Sequence, residues 1–144
     1  MSRQFTLAGL LRLRHMQQDQ AAANLATANR RHSASSSRRA AARAELGESD
    51  AEVSTAAGLQ GMAAARASSQ SMLADLQTMV QLDHDQAEQA RAVFTAARIN
   101  TKGLEKLSEK HAAQVADEEL AAEQVAVDEM ASGSWHRERT ESAV

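Results

Sequence analysis

Along the first third of the chain, one class of positions recurs at alternating steps of four and three. Leu7, Leu11, Arg14, Gln18, Ala21, Leu25, Ala28, His32, Ser35, Arg39, Ala42 and Leu46 form that ladder. Such spacing keeps one edge of an α-helix against a partner helix, as in a coiled-coil seam. The ladder predicts a first helix over 3–52. A second stripe runs through Met72, Leu73, Leu76, Met79, Val80, Ala90, Val93, Phe94, Ala97, Leu104 and Leu107. It drifts between two registers and predicts a second helix over 62–131. Between the stripes, Gly47, Gly58 and Gly61 surround Ser54-Thr55, which places a turn at 53–61. Gly133 is expected to end the second helix and leave a frayed tail over 132–144. One turn between two long helices makes an antiparallel hairpin, with both chain ends at the same end.

Composition sharpens the fold class. Of 144 residues, 32 are alanine, none is proline or cysteine, and the aromatics are Phe5, Phe94 and Trp135. Alanine is the best helix former and proline the strongest breaker, while the β-branched and aromatic residues that sheets favour are scarce. The expected fold is all-α: a long, stalk-like two-helix antiparallel coiled-coil hairpin forming one domain over 1–144. An alanine seam buries little apolar surface, and burial contributes about 25 cal/mol per Å². A modestly stable free chain, completed by a partner, is therefore expected. The absence of cysteine excludes disulfides and thiolate metal sites. No run of apolar residues has the length of a signal peptide core or a membrane span.

The net charge of -3 conceals an asymmetry. Through residue 44 there are eight arginines and only Asp19 as an acid, whereas Asp117, Glu118, Glu119, Glu123, Asp128 and Glu129 follow one another without a base. In a hairpin the acidic run is expected to brace the arginine-bearing first helix.

Signs of catalysis are absent. No phosphate-loop or dinucleotide fingerprint occurs, and the five histidines include no HExxH pair. In Asp83-His84-Asp85 with Glu88, only positions 84 and 88 share a helical face, which favours a solvated surface over a metal site. The acid pairs Glu118-Glu119 and Asp128-Glu129 would lie on a rod with no pocket to shift their titration. No enzyme activity, cofactor or metal is expected. Arg30-Arg31, Arg38-Arg39 and Arg43 lack interleaved aromatics for base stacking, so nucleic-acid binding is not expected either.

Two features point to protein contacts. Phe5, Leu7, Leu10, Leu11 and Leu13 supply more large apolar groups than one partner stripe uses, and exposed apolar surface marks contact sites. Either that surface stays open or Leu120, Val125, Val127 and Met130 cover part of it; the two readings are compatible. Lys102, Lys106 and Lys110 stack on one helical face at i,i+4 spacing. Either an acidic partner surface offsets their mutual repulsion or Glu105 and Glu109 do so locally.

These residues also carry a resemblance. The chain resembles the FliJ family of flagellar type III export proteins. Phe5, Leu7, Leu10, Leu11, Leu13 and Arg14 match the family's opening. Arg98, Lys102, Leu104, Glu105, Lys106, Leu107, Glu109, Lys110 and His111 match its basic and leucine pattern on the C-terminal helix, and Glu123, Asp128 and Glu129 match the acids that follow. The resemblance implies a non-catalytic component of flagellar biogenesis and protein export, serving motility and chemotaxis. It implies a cytoplasmic protein held peripherally at the inner membrane face of the flagellar base. The implied partners are the hexameric export ATPase, entered as a central stalk by the end carrying both termini, the membrane-embedded export gate at the opposite end, and export chaperones. The ATPase end would carry Phe5, Leu7, Leu10, Leu11, Arg14, Lys102, Lys106 and Lys110. Family members often bear large aromatics just after the turn; here Met62, Met72 and Leu73 stand instead, so a loop-end contact would use aliphatic side chains. A self-associating coiled-coil adaptor is the alternative reading.

Overall fold

The structure of the chain, a computed structural model, describes residues 5–48 and 54–141, with side chains as far as Trp135. Two helices account for almost all of it: α1 over Ala8–Glu48 and α2 over Ala56–Glu141. They pack against each other as a helical hairpin, and no strand occurs among the described residues. The contacts divide into two units. One joins the described residues up to His15 with those from Asn100 onward; the other spans Met16–Ile99.

Within Met16–Ile99, the α1 ladder is the sheltered edge of the helix. Gln18, Ala21, Leu25, Ala28, His32, Ser35, Arg39, Ala42 and Leu46 are all half-buried or buried. Their partners on α2 follow a single 4-3 register: Ser69, Leu73, Leu76, Val80, Asp83, Ala87, Ala90, Phe94 and Ala97. The pairing is antiparallel, because His32 meets His84 while Arg39, later in α1, donates to Gln77, earlier in α2. Ala21, Ser35 and Ala87 are the buried members. Small side chains at these layers let the backbones approach closely, at the expense of apolar area.

The predicted drift of the second stripe is therefore a misreading. Met72, Met79 and Val93 are 48%, 53% and 60% exposed, respectively. Each immediately precedes a seam residue (Leu73, Val80 and Phe94) and flanks the interface instead of filling it. Leu107 does the same before Ser108 in the other unit.

The helix ends also differ from expectation. The first helix begins at Ala8, entered by a tight turn in which the Ala8 N–H donates to the Phe5 carbonyl at 3.0 Å. Arg3 and the expected end at residue 52 lie outside the described residues. The second helix starts at Ala56, six residues before Met62, because Thr55 caps it. The Thr55 hydroxyl oxygen accepts the Gly58 N–H at 3.2 Å, and its carbonyl accepts that of Leu59 at 3.0 Å. This satisfies donors that a helix start otherwise leaves unpaired. Gly58 and Gly61 sit inside the helix, not in the turn. The tail is helical to Glu141, through Gly133. A helical glycine costs only about 1 kcal/mol relative to alanine, and no proline follows to stop the run. Ser134 adds a bond of 2.8 Å from its hydroxyl to the Ala131 carbonyl.

Candidate functional site

The expected contact residues at the termini all fall in the unit that joins the start of the chain to Asn100–Glu141. Here the seam of α2 continues in the same register through Thr101, Leu104, Ser108, His111 and Val115. Thr101 is its anchor, only 1% exposed, and its hydroxyl donates to the Arg14 carbonyl at 3.2 Å. His15 and Glu105 pair across the edge at 3.5 Å, both about half exposed. The Phe5 ring closes the packing on His111, centroids 5.5 Å apart and tilted by 55°.

This geometry sorts the N-terminal residues into two groups. Phe5, Leu11 and Arg14 are half-buried and belong to the packing between the segments. Leu7, Leu10 and Leu13 remain open, at 39%, 38% and 47% exposure. The contact surface predicted for the leucines thus rests on these three. Leu120, Val125, Val127 and Met130 do not form the cover considered for them, being 65%, 59%, 58% and 69% exposed. Beyond Val115, every described residue as far as Trp135 except Gly133 is exposed. The acidic run accordingly lies past the part of α2 that shelters against α1, and the expected brace is not what most of it forms.

Lys102, Lys106 and Lys110 are exposed and share a face, as i,i+4 neighbours must. With about 100° per residue, Lys106 points away from the α1-facing seam, with Lys102 and Lys110 about 40° to either side. Of the open leucines, Leu10 and Leu13 are carried by α1 and Leu7 by the turn before it, whereas the lysines lie on the outer side of α2. The fold places them in one unit but not on one continuous patch.

The loop-end candidates lie in the Met16–Ile99 unit. Met62 and Met72 line a groove of about 100 Å³ with Leu46, Ala65 and Ser69. Leu73 lines an adjoining one with Arg39, Arg43 and Gln77. Met62 and Leu73 are half-buried and Met72 is exposed. In the same unit, Asp83 and His84 turn toward α1: Asp83 is a seam residue, and His84 packs on His32 with ring centroids 5.4 Å apart. Asp85 accepts from Gln81, and Glu88 pairs with Arg91 at 3.8 Å. Among the described residues no three such side chains gather as metal ligands.

Thr101, Ala87 and the His32–His84 layer escaped the reading of the sequence, although a strict step of three back from Leu104 reaches Thr101. A match to known families decides what this arrangement belongs to. Residues 3–140 match the family model described as Flagellar FliJ protein. The chain belongs to the FliJ family. No curated protein and no solved structure matches it. Membership makes it a component associated with flagellar protein export, in a family of non-catalytic proteins. None of the described helices is long and apolar enough to cross a membrane.

Proposed function

We propose that this FliJ protein binds the hexameric flagellar export ATPase, as a central stalk, through the unit that carries both chain termini. In this reading it promotes assembly and turnover of the hexamer, links it to the membrane-embedded export gate, and assists in handing over export chaperones. It would act in the cytoplasm, at the inner face of the membrane beneath the flagellum. The observation that carries the proposal is the pairing, in one unit, of open leucines with an unneutralised basic face. Leu7, Leu10 and Leu13 stand 38–47% exposed, and Lys102, Lys106 and Lys110 make no ion pair among the described residues. Exposed apolar groups offer burial, and stacked lysines that repel one another by a few tenths of a kcal/mol are relieved by a partner's carboxylates. Phe5, Leu11 and Arg14 support that surface from within the packing. Met62, Met72 and Leu73 supply the aliphatic surface for the gate-side contact.

The test is ATP turnover and oligomeric state of the export ATPase from the same organism, with and without this chain. Stimulated turnover and a hexamer carrying one copy are expected. Lys102→Glu with Lys106→Glu should weaken binding in a salt-dependent manner, because exposed charges are screened over about 10 Å at 0.1 M salt. Absence of binding at every ionic strength would discard the ATPase reading and leave a coiled-coil adaptor.

A further inference from the structure

The outer side of α2 between Lys102 and Met130 carries a second ladder that α1 does not use. Lys102, Lys106, Glu109, Ala113, Ala116, Leu120, Glu123, Val127 and Met130 follow the 4-3 spacing of a coiled-coil seam, and every one of them is exposed. Its centre is small, its second half has an apolar groove of about 320 Å³ lined by Leu120, Glu123, Gln124 and Val127, and its two halves differ in charge. Lysines dominate before Ala113; Asp117 and Glu123 follow it on the same side. None of Lys106, Lys110, Asp117 and Glu123 makes an ion pair among the described residues.

A surface that is basic in one half and acidic in the other complements itself when turned end for end. We infer that the outer face of α2 is a homodimer interface, occupied by the same face of an antiparallel second copy. The register follows from the ladder. With Ala113 opposite Ala116 of the other copy, Lys106 falls opposite Glu123 and Lys110 beside Asp117. The two-fold axis repeats each match, as a self-complementary interface requires. The paired alanines at the centre allow close helix approach, and the stem of Lys102 lies over Val127. A parallel arrangement would set lysine against lysine and acid against acid. An unrelated basic helix would satisfy only the acidic half. The second copy is the occupant that offers opposite charge to Lys106, Lys110, Asp117 and Glu123, with Glu109 falling opposite Leu120, and this does not depend on the ATPase reading.

The test is sedimentation equilibrium of the full-length chain, from micromolar to several hundred micromolar, at low and high salt. A monomer–dimer equilibrium weakened by salt is expected. Lys106→Glu with Lys110→Glu, and separately Asp117→Lys with Glu123→Lys, should each weaken the dimer roughly thirtyfold or more, since four attractions become repulsions. Mixing the two variants should restore association, because all four pairs regain opposite signs. Ala116→Arg, also at an exposed position, should abolish the dimer through its bulk with helicity unchanged. A wild-type chain that stays monomeric throughout overturns the proposal. So does a dimer indifferent to these substitutions, or a mixture of the charge variants that fails to associate.

Discussion

At the scale of single residues, the seam is held by side chains with little apolar surface, so polar ones decide its local stability. His32 occupies a seam position with Nδ1 buried and unpartnered. A buried group without its hydrogen bond costs about 1–3 kcal/mol, and a leucine there would add apolar burial against α2. His32→Leu is expected to raise stability by about 1–2 kcal/mol, seen as a higher thermal midpoint by circular dichroism. A lowered midpoint would mean that the imidazole contact with His84 matters more than the orphaned nitrogen. Thr101 is the opposite case, since its buried hydroxyl has a partner in the Arg14 carbonyl. Thr101→Val keeps the shape and removes the bond, at an expected loss of about 1 kcal/mol. An unchanged midpoint would show that the 3.2 Å contact contributes nothing net.

At the scale of the elements, the first helix was legible because its ladder contains leucines at Leu11, Leu25 and Leu46 that fix the phase, and the polar rungs between them fall into place. The second helix was harder for a physical reason. Met72, Met79, Val93 and Leu107 sit one residue before seam positions, and hydrophobicity cannot tell a flanking side chain from a core one. Small and polar residues (Asp83, Ala87, Thr101 and Ser108) hold the true phase, which a search for large apolar groups passes over. Glycine misled in the same way. Gly58, Gly61 and Gly133 read as breaks, yet none needs a conformation that only glycine adopts, and Thr55 rather than glycine sets the start of α2. Of the candidate site, the lysine face was legible from i,i+4 spacing alone. The division between packed Phe5, Leu11 and Arg14 and open Leu7, Leu10 and Leu13 depends on which residues α2 covers, and that requires its register. An alanine Cβ at Gly61 or Gly103 would meet nothing within 4 Å. Gly61→Ala and Gly103→Ala should each stabilise the helix by about 0.8–1 kcal/mol, measured by urea denaturation. Destabilisation by either would indicate that the open space at that position is used.

At the scale of the whole molecule, the two proposed partnerships draw on the same lysines, so they should compete. A second copy on the outer face of α2 brings Glu123 and Asp117 against Lys106 and Lys110, the charges also assigned to ATPase contact. Charge reversal separates the two roles. Asp117→Lys with Glu123→Lys leaves the lysine face intact and removes the self-complementary acids. That variant should be monomeric, and at concentrations where the wild type is dimeric it should stimulate the ATPase more strongly per chain. Lys106→Glu with Lys110→Glu should lose both self-association and stimulation. Leu10→Ala should reduce stimulation alone, since Leu10 is open, belongs to α1 and lies off the dimer face; Leu11→Ala is a poorer probe because Leu11 is sheltered in the packing and its loss also weakens the fold. Turnover measured across concentration for the wild type and these variants yields distinct patterns. If the acid-reversed chain is monomeric but stimulates no better than the wild type, the lysines are not shared between the partners. If it stimulates less, the acidic half of α2 itself belongs to the ATPase contact.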